Sequence, residues 1–95
     1  MLELRQALQV RQARVNLQDA LDRLALARQT EQSARRNLEA ATDLWQNGLS
    51  RHADVLDAHA QLTNAQFEVV GASADIVLAR AELDHATGLL TNANN

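Results

Sequence analysis

Cysteine, proline, lysine and tyrosine are all missing from this 95-residue chain, glycine occurs only three times, and the aromatic residues are a single Trp45 and a single Phe67. Without cysteine there is neither a disulfide nor a thiolate metal site, and the redox compartment is left undetermined. Every basic residue other than histidine is Arg, the formal net charge is -3, and no basic block occurs. The surface therefore lacks the electrostatic footprint that phosphate backbones require, and nucleic acid is not expected as a partner. No apolar run approaches the roughly 20 residues that cross a bilayer as a helix, so no direct membrane insertion is expected. The opening residues Met1 to Gln6 show no basic, then apolar, then small pattern of a secretory signal. By itself the chain is expected to be soluble, and any parent protein in a cell envelope would have to supply the address and the membrane part.

What is present is a helix former's composition, dominated by Ala, Leu, Gln, Arg, Asp and Asn. A chain this short has little interior to share between a core and a buried reaction centre. The helical pattern breaks convincingly near the midpoint, at Gln46-Asn47-Gly48-Leu49-Ser50. Gly48 tolerates the positive φ of a helix C-cap, and Ser50 or Asp54 can accept hydrogen bonds from the free amides of a starting helix. The expected elements are a helix over about 3–46, a turn over about 47–52, a helix over about 53–90 and a frayed tail over 91–95. Each arm of roughly 40 residues would be about 60 Å long at 1.5 Å per residue. Gly71 reads as a close-contact site and Gly88 as part of a fraying end.

Each arm carries a ladder with spacings of three and four. On the C-terminal arm it runs Val55, Ala58, Leu62, Ala65, Val69, Ala72, Ile76, Ala79, Leu83, Ala86, Leu90. On the N-terminal arm it runs Val10, Ala13, Leu17, Ala20, Leu24, Ala27, Glu31, Ala34, Leu38, Ala41, Trp45. A sustained 3.5-residue period is the coiled-coil signature and predicts a left-handed supercoil. Folding back at the turn sets Leu38 opposite Leu62, Ala34 opposite Ala65, Leu24 opposite Ile76 and Leu17 opposite Leu83. Ala layers let antiparallel backbones approach closely. The fold class is therefore all-α, a long antiparallel two-helix coiled-coil hairpin, with Leu17, Leu24, Leu38, Leu62, Val69, Ile76 and Leu83 as its larger core side chains. Glu31 is the one charged ladder residue, level with Val69; its carboxylate can reach the edge of a two-helix seam, and a polar core residue can fix register.

A second apolar stripe on the C-terminal arm reads Leu56, Ala60, Thr63, Phe67, Val70, Ala74, Val77, Ala81. One partner helix cannot cover both stripes, so additional helices are implied. Backbone ordering at about 1–2 kcal/mol per residue also outweighs what a lone seam returns, at about 1.5–3 kcal/mol for each larger side chain. Self-association follows, most simply as a dimer of hairpins forming a four-helix bundle. Residues 1–46 hold seven Arg against six acids, and residues 51–95 two Arg against six acids. That mild complementarity can help pair the arms, though exposed ion pairs are individually weak.

Catalytic chemistry is not legible. His52 and His59 lie seven apart near Asp54, but helices present metal ligands at i and i+3 or i+4, so no metal site is expected. His85 beside Asp84 is a surface pair. There is no phosphate-binding loop, nucleophile elbow or acid-base constellation, and neither a cofactor nor an enzymatic activity is expected.

The stretch Ala41 to Leu62 resembles the tip of the second helical hairpin in the TolC-like outer-membrane efflux protein family. An aromatic residue, Trp45, precedes Gly48 by three; Ser50 follows; and Asp54-Val55-Leu56-Asp57-Ala58, with Leu62, opens the returning helix. The later pattern, from Ala65 through Ala79, Leu83, Ala86 and Gly88-Leu89-Leu90, is similar to the way that hairpin ends. The resemblance implies the periplasmic part of an outer-membrane protein, a trimeric helical barrel that closes at its tips and meets the hairpins of a membrane-fusion adaptor. It spans nearly all of this chain and about a quarter of a full family member; the membrane strands and the first repeat are not in it. It places Asn47, Gly48, Leu49, Ser50 and Arg51 at an adaptor-docking tip, and Trp45, Asp54 and Asp57 near a gated aperture. The family's constricting Arg would fall at Ser50, with Arg51 beside it. Simpler roles stand alongside: Trp45 also falls on the ladder and can cap the core, and Asp54 and Asp57 suit a helix N-terminus whatever their function. The competing reading of the whole chain is a stand-alone structural or interaction hairpin with no transport role.

Overall fold

The computed structural model describes the backbone of residues 2–93 and the side chains of residues 2–88. The side chain of Leu90, the last position of the C-terminal ladder, and all of Asn94 and Asn95 of the expected tail lie outside the description. The chain forms two helices, α1 over Leu2–Gln46 and α2 over His52–Ala93, packed antiparallel. Neither contains proline, and α1 is rich in Ala, Leu, Gln and Arg, which lose little side-chain freedom in a helix. Thr30, Thr42 and Thr63 sit inside the helices by donating their hydroxyls to the carbonyls of Leu26, Leu38 and His59, at 3.1, 2.7 and 3.1 Å. Acidic residues occupy the first turns, Glu3 in α1 and Asp54 in α2, where the helix dipole favours negative charge.

The residues divide into two compact units. One, Leu24–Gly71, contains the turn and the two helix segments that flank it. Its core is a cluster of Ala34, Leu62 and Ala65 with Leu38 packed against it, so the expected pairs Leu38 with Leu62 and Ala34 with Ala65 stand together. Ala27 and Ala58 are also buried in this unit, and Leu24 and Val69 are half-buried. Glu31 is likewise half-buried, and its Oε1 accepts a hydrogen bond from Arg35 Nη2 at 3.0 Å one helical turn on. The ladder carboxylate thus turns to its own helix at the seam's edge.

The other unit combines Met1–Arg23 with Ala72–Asn95. Ala13, Ala20, Ala72, Ala79 and Ala86 are its buried residues, with Val10, Leu17, Ile76 and Leu83 half-buried. Arg23 Nη1 reaches Asp75 Oδ2 on α2 at 3.1 Å and also holds Asp19 on its own helix at 3.4 Å. Among the described residues of both units the buried positions are nearly all Ala, and of the larger ladder residues only Leu62 joins them. A two-helix seam covers a methyl group completely, whereas a Leu, Val or Ile side chain extends past the partner backbone and keeps an exposed edge. Among the described residues no polar or charged residue is buried.

The second stripe of α2 is uncovered. Leu56, Ala60, Phe67, Val70, Ala74, Val77 and Ala81 are exposed, and Thr63 is half-buried. On α1, Leu2, Leu4, Leu8, Val15, Leu21, Leu26 and Leu44 are also exposed; Leu4, Leu8, Val15 and Leu26 share one face, with polar residues interrupting it.

Candidate functional site

The turn between the helices is a tightly specified piece of backbone. Gly48 adopts φ 72°, the left-handed conformation that a side chain disfavours. Its N–H donates to the carbonyl of Trp45 at 3.0 Å, and the N–H of Leu49 donates to the carbonyl of Leu44 at 2.8 Å. That crossed pair is the Schellman termination, which satisfies carbonyls left over at the end of α1. Asn47 adds two bonds to one acceptor, its N–H and its side-chain amide both donating to the carbonyl of Asp43, at 3.2 and 2.8 Å. Leu49 projects from the apex with 73% of its surface exposed.

At the start of α2 the capping partner is Asp54. The Arg51 N–H donates to Asp54 Oδ2 at 3.3 Å, and the Asp54 N–H donates to the carbonyl of Arg51 at 3.0 Å. This is the acidic half of a capping box, the carboxylate three residues into the helix reaching back to the N-cap amide. Ser50, the other residue expected to cap, sits one position too early: its Oγ is buried with no hydrogen-bond partner among the described residues. Asp57 lies one turn further on and accepts from Gln61 Nε2 at 3.2 Å. The Arg51 guanidinium forms no ion pair with either acid among the described residues.

Trp45 occupies a ladder position yet is 41% exposed. Its ring packs on that of His52 across the turn, with centroids 4.8 Å apart and planes at 44°. The aromatic side chain therefore bridges the last turn of α1 and the first turn of α2, and His52, considered above as a metal ligand, is its stacking partner. Sequence reasoning did not anticipate that contact, although two rings on either side of a five-residue turn were its available signal. Of the residues expected at the tip and aperture, the structure gathers Trp45, Asn47, Gly48, Leu49, Ser50, Arg51 and Asp54 into one apex, with Asp57 beginning the shaft behind it.

Away from the apex the grooves are open. One of about 320 Å³ lies over Ala34 and Ala65, edged by Thr30, Ser33, Asn37 and Gln61. Another, of about 270 Å³, lies over Ala13 and Ala86 beside Asn16 and His85. Each exists because an Ala layer leaves a shallow trough between two helices. Among the described residues no group of three or more His, Cys, Asp or Glu could hold a metal ion, and no helix is long and apolar enough to cross a membrane.

What the fold and the turn define is an α-helical hairpin with a capped apex. The family model for outer membrane efflux proteins matches residues 3–89, and the chain belongs to that family. Its members are efflux channels of the outer membrane and periplasm, not enzymes, and they oligomerise; this chain is a helical hairpin segment of that kind. No curated protein and no solved structure matches the chain.

Proposed function

We propose that this hairpin forms part of the periplasmic α-barrel of an outer-membrane efflux duct, and that its apex docks the hairpin of a membrane-fusion adaptor in a tripartite efflux or type I secretion system. The observation that carries the reading is the apex itself: Gly48 and the Leu44–Leu49 bond fix the backbone so that one apolar side chain, Leu49, stands clear of it. A rigid apex with a lone apolar projection suits docking to another helical tip, because neither side must order a loop on binding. Asn47 and Arg51 flank Leu49 and supply polar contacts, while Ser50 lies between them with its hydroxyl buried. Trp45, Asp54 and Asp57 lie just behind and line the aperture when three copies close into a barrel. Asp54 is already engaged by backbone, so Asp57, which accepts from the exposed amide of Gln61, is the acid placed to change partner on opening.

Binding of the cognate adaptor hairpin to the wild-type chain, Leu49→Asp and Gly48→Pro, measured by calorimetry, tests the docking part. Both variants are expected to lose binding while retaining helical circular dichroism in the arms. Equal binding by all three, or none by any, removes support for docking at the tip.

A further inference from the structure

We propose that Asn47 and Gly48 form a gated self-modification site: Asn47 deamidates through attack by the Gly48 backbone nitrogen when the cap of α1 opens, and the product keeps that cap from closing as before. The pair is the chain's one Asn-Gly sequence, since every other asparagine precedes Leu, Ala or Asn, or ends the chain. Both residues lie in the unit Leu24–Gly71, and the site exists whatever the apex docks.

The reaction needs nothing beyond the chain and water. The Gly48 nitrogen, its proton passed to water, attacks Cγ of Asn47; an N–C bond forms, the bond from Cγ to Nδ2 breaks, and Nδ2 leaves as ammonia after taking a proton back from water. Water then opens the resulting cyclic imide. Hydrolysis at the side-chain carbonyl gives Asp, and hydrolysis at the main-chain carbonyl gives isoaspartate, whose backbone runs through the side chain and is longer by a methylene. The net change is a side-chain amide and water converted to a carboxylate and ammonium. Glycine favours the first step because no side chain crowds its nitrogen and its backbone reaches conformations closed to other residues.

The closed cap holds the reacting groups apart. The nucleophile, the Gly48 N–H, donates to the carbonyl of Trp45 at 3.0 Å, while the leaving group, Asn47 Nδ2, donates back along the helix to the carbonyl of Asp43 at 2.8 Å. The bond from the Leu49 N–H to the Leu44 carbonyl at 2.8 Å holds Gly48 at φ 72°. Attack requires the amide to leave Asp43 and the Gly48 nitrogen to give up Trp45, so the reaction proceeds from the locally opened turn. Both residues are exposed, so these hydrogen bonds rather than burial supply the protection. The product undoes the cap: a carboxylate at position 47 cannot donate to the Asp43 carbonyl. It also places negative charge at the C-terminus of α1, one turn from the Asp43 carboxylate, and both placements are unfavourable. The longer isoaspartyl backbone moreover shifts the Gly48 and Leu49 amides out of register with Trp45 and Leu44.

Deamidation is followed in the full chain at one concentration and mildly alkaline pH, folded in buffer and unfolded in guanidinium chloride. Trypsin releases the peptide from Asn37 to Arg51, in which mass spectrometry reads Asn47 and, as an internal reference, Asn37, which precedes Leu38. Enzymatic methylation of isoaspartate identifies the product. Asn47 should react at least about tenfold more slowly in the folded chain than in the unfolded one, with Asn37 slow in both. Leu49→Pro deletes the N–H that bonds Leu44 and keeps the Asn-Gly pair. It should recover most of the unfolded rate while circular dichroism shows helical arms, and should match the wild type in guanidinium chloride. The isoaspartyl chain, separated by anion exchange, should exchange its Leu49 amide hydrogen at least about tenfold faster than the parent. Equal wild-type rates folded and unfolded overturn the gate, whether or not Leu49→Pro folds, and equal protection in a helical Leu49→Pro overturns the bonds assigned to it. An Asn47 that stays intact in the unfolded chain overturns the site, and unchanged Leu49 exchange after modification overturns its effect on the cap.

Discussion

Replacing Gly48 tests the apex through handedness alone. Gly48 sits at φ 72°, and a Cβ built there meets nothing within 4 Å, so a substitution meets no tertiary clash and its effect is confined to the backbone. An L-residue in the left-handed region is disfavoured by about 1–2 kcal/mol, so Gly48→Ala should destabilise the hairpin by about that amount. For a domain of this size, roughly 4–8 °C of Tm accompany each kcal/mol. A D-alanine introduced at position 48 by chemical ligation prefers positive φ. Its methyl takes the place of the other α-hydrogen, and by restricting the unfolded chain it should stabilise by about 0.4–1 kcal/mol. The two variants have identical composition and opposite expected signs. Urea unfolding at one fixed chain concentration reads both, with an unchanged slope expected because the surface exposed is the same. If L- and D-alanine shift the midpoint in the same direction by the same amount, the turn does not hold the left-handed conformation and the account of the apex fails.

Leu62 is 6% exposed in the cluster with Ala34, Ala65 and Leu38; Leu62→Ala should cost about 2–4 kcal/mol in the same urea assay, since its small neighbours cannot collapse into the space. A loss below about 1 kcal/mol would show that the cluster is not a packed core. Arg23 and Asp75 join α1 to α2, but their side chains are 53% and 46% exposed. A double-mutant cycle with Arg23→Ala and Asp75→Ala should return a coupling of no more than about 1 kcal/mol that fades at high salt; a larger, salt-insensitive coupling would contradict the assignment of pairing to the Ala and Leu layers.

The helices, the break between them and the mirrored layers were legible because each rests on local or periodic information. A Gly followed by the opening of a new helix is a local signal, and a 3.5-residue ladder without proline specifies which side of each helix faces inward. Equal spacing on both arms then sets the register, which is why spacing alone pairs Leu38 with Leu62 and Ala34 with Ala65, as the folded chain does. The tip motif from Trp45 to Leu62 likewise pointed to the efflux family that the match over residues 3–89 establishes.

Only the tertiary structure decided how side chains share the small volume between two helices. Ser50 and Asp54 were equivalent caps by residue type, and Asp54 won because its carboxylate starts three residues inside the helix and reaches back to the Arg51 amide. Trp45 kept its place in the ladder but not in the core, because the partner helix ends near it and the ring finds His52 instead. Glu31 turned to Arg35 on its own helix. The sequence alone determined where the helices run and which faces they turn to each other; the folded pair determined which atoms are covered, since a two-helix seam hides an Ala entirely, leaves a Leu with an open edge, and cannot reach the far side of α2 at all.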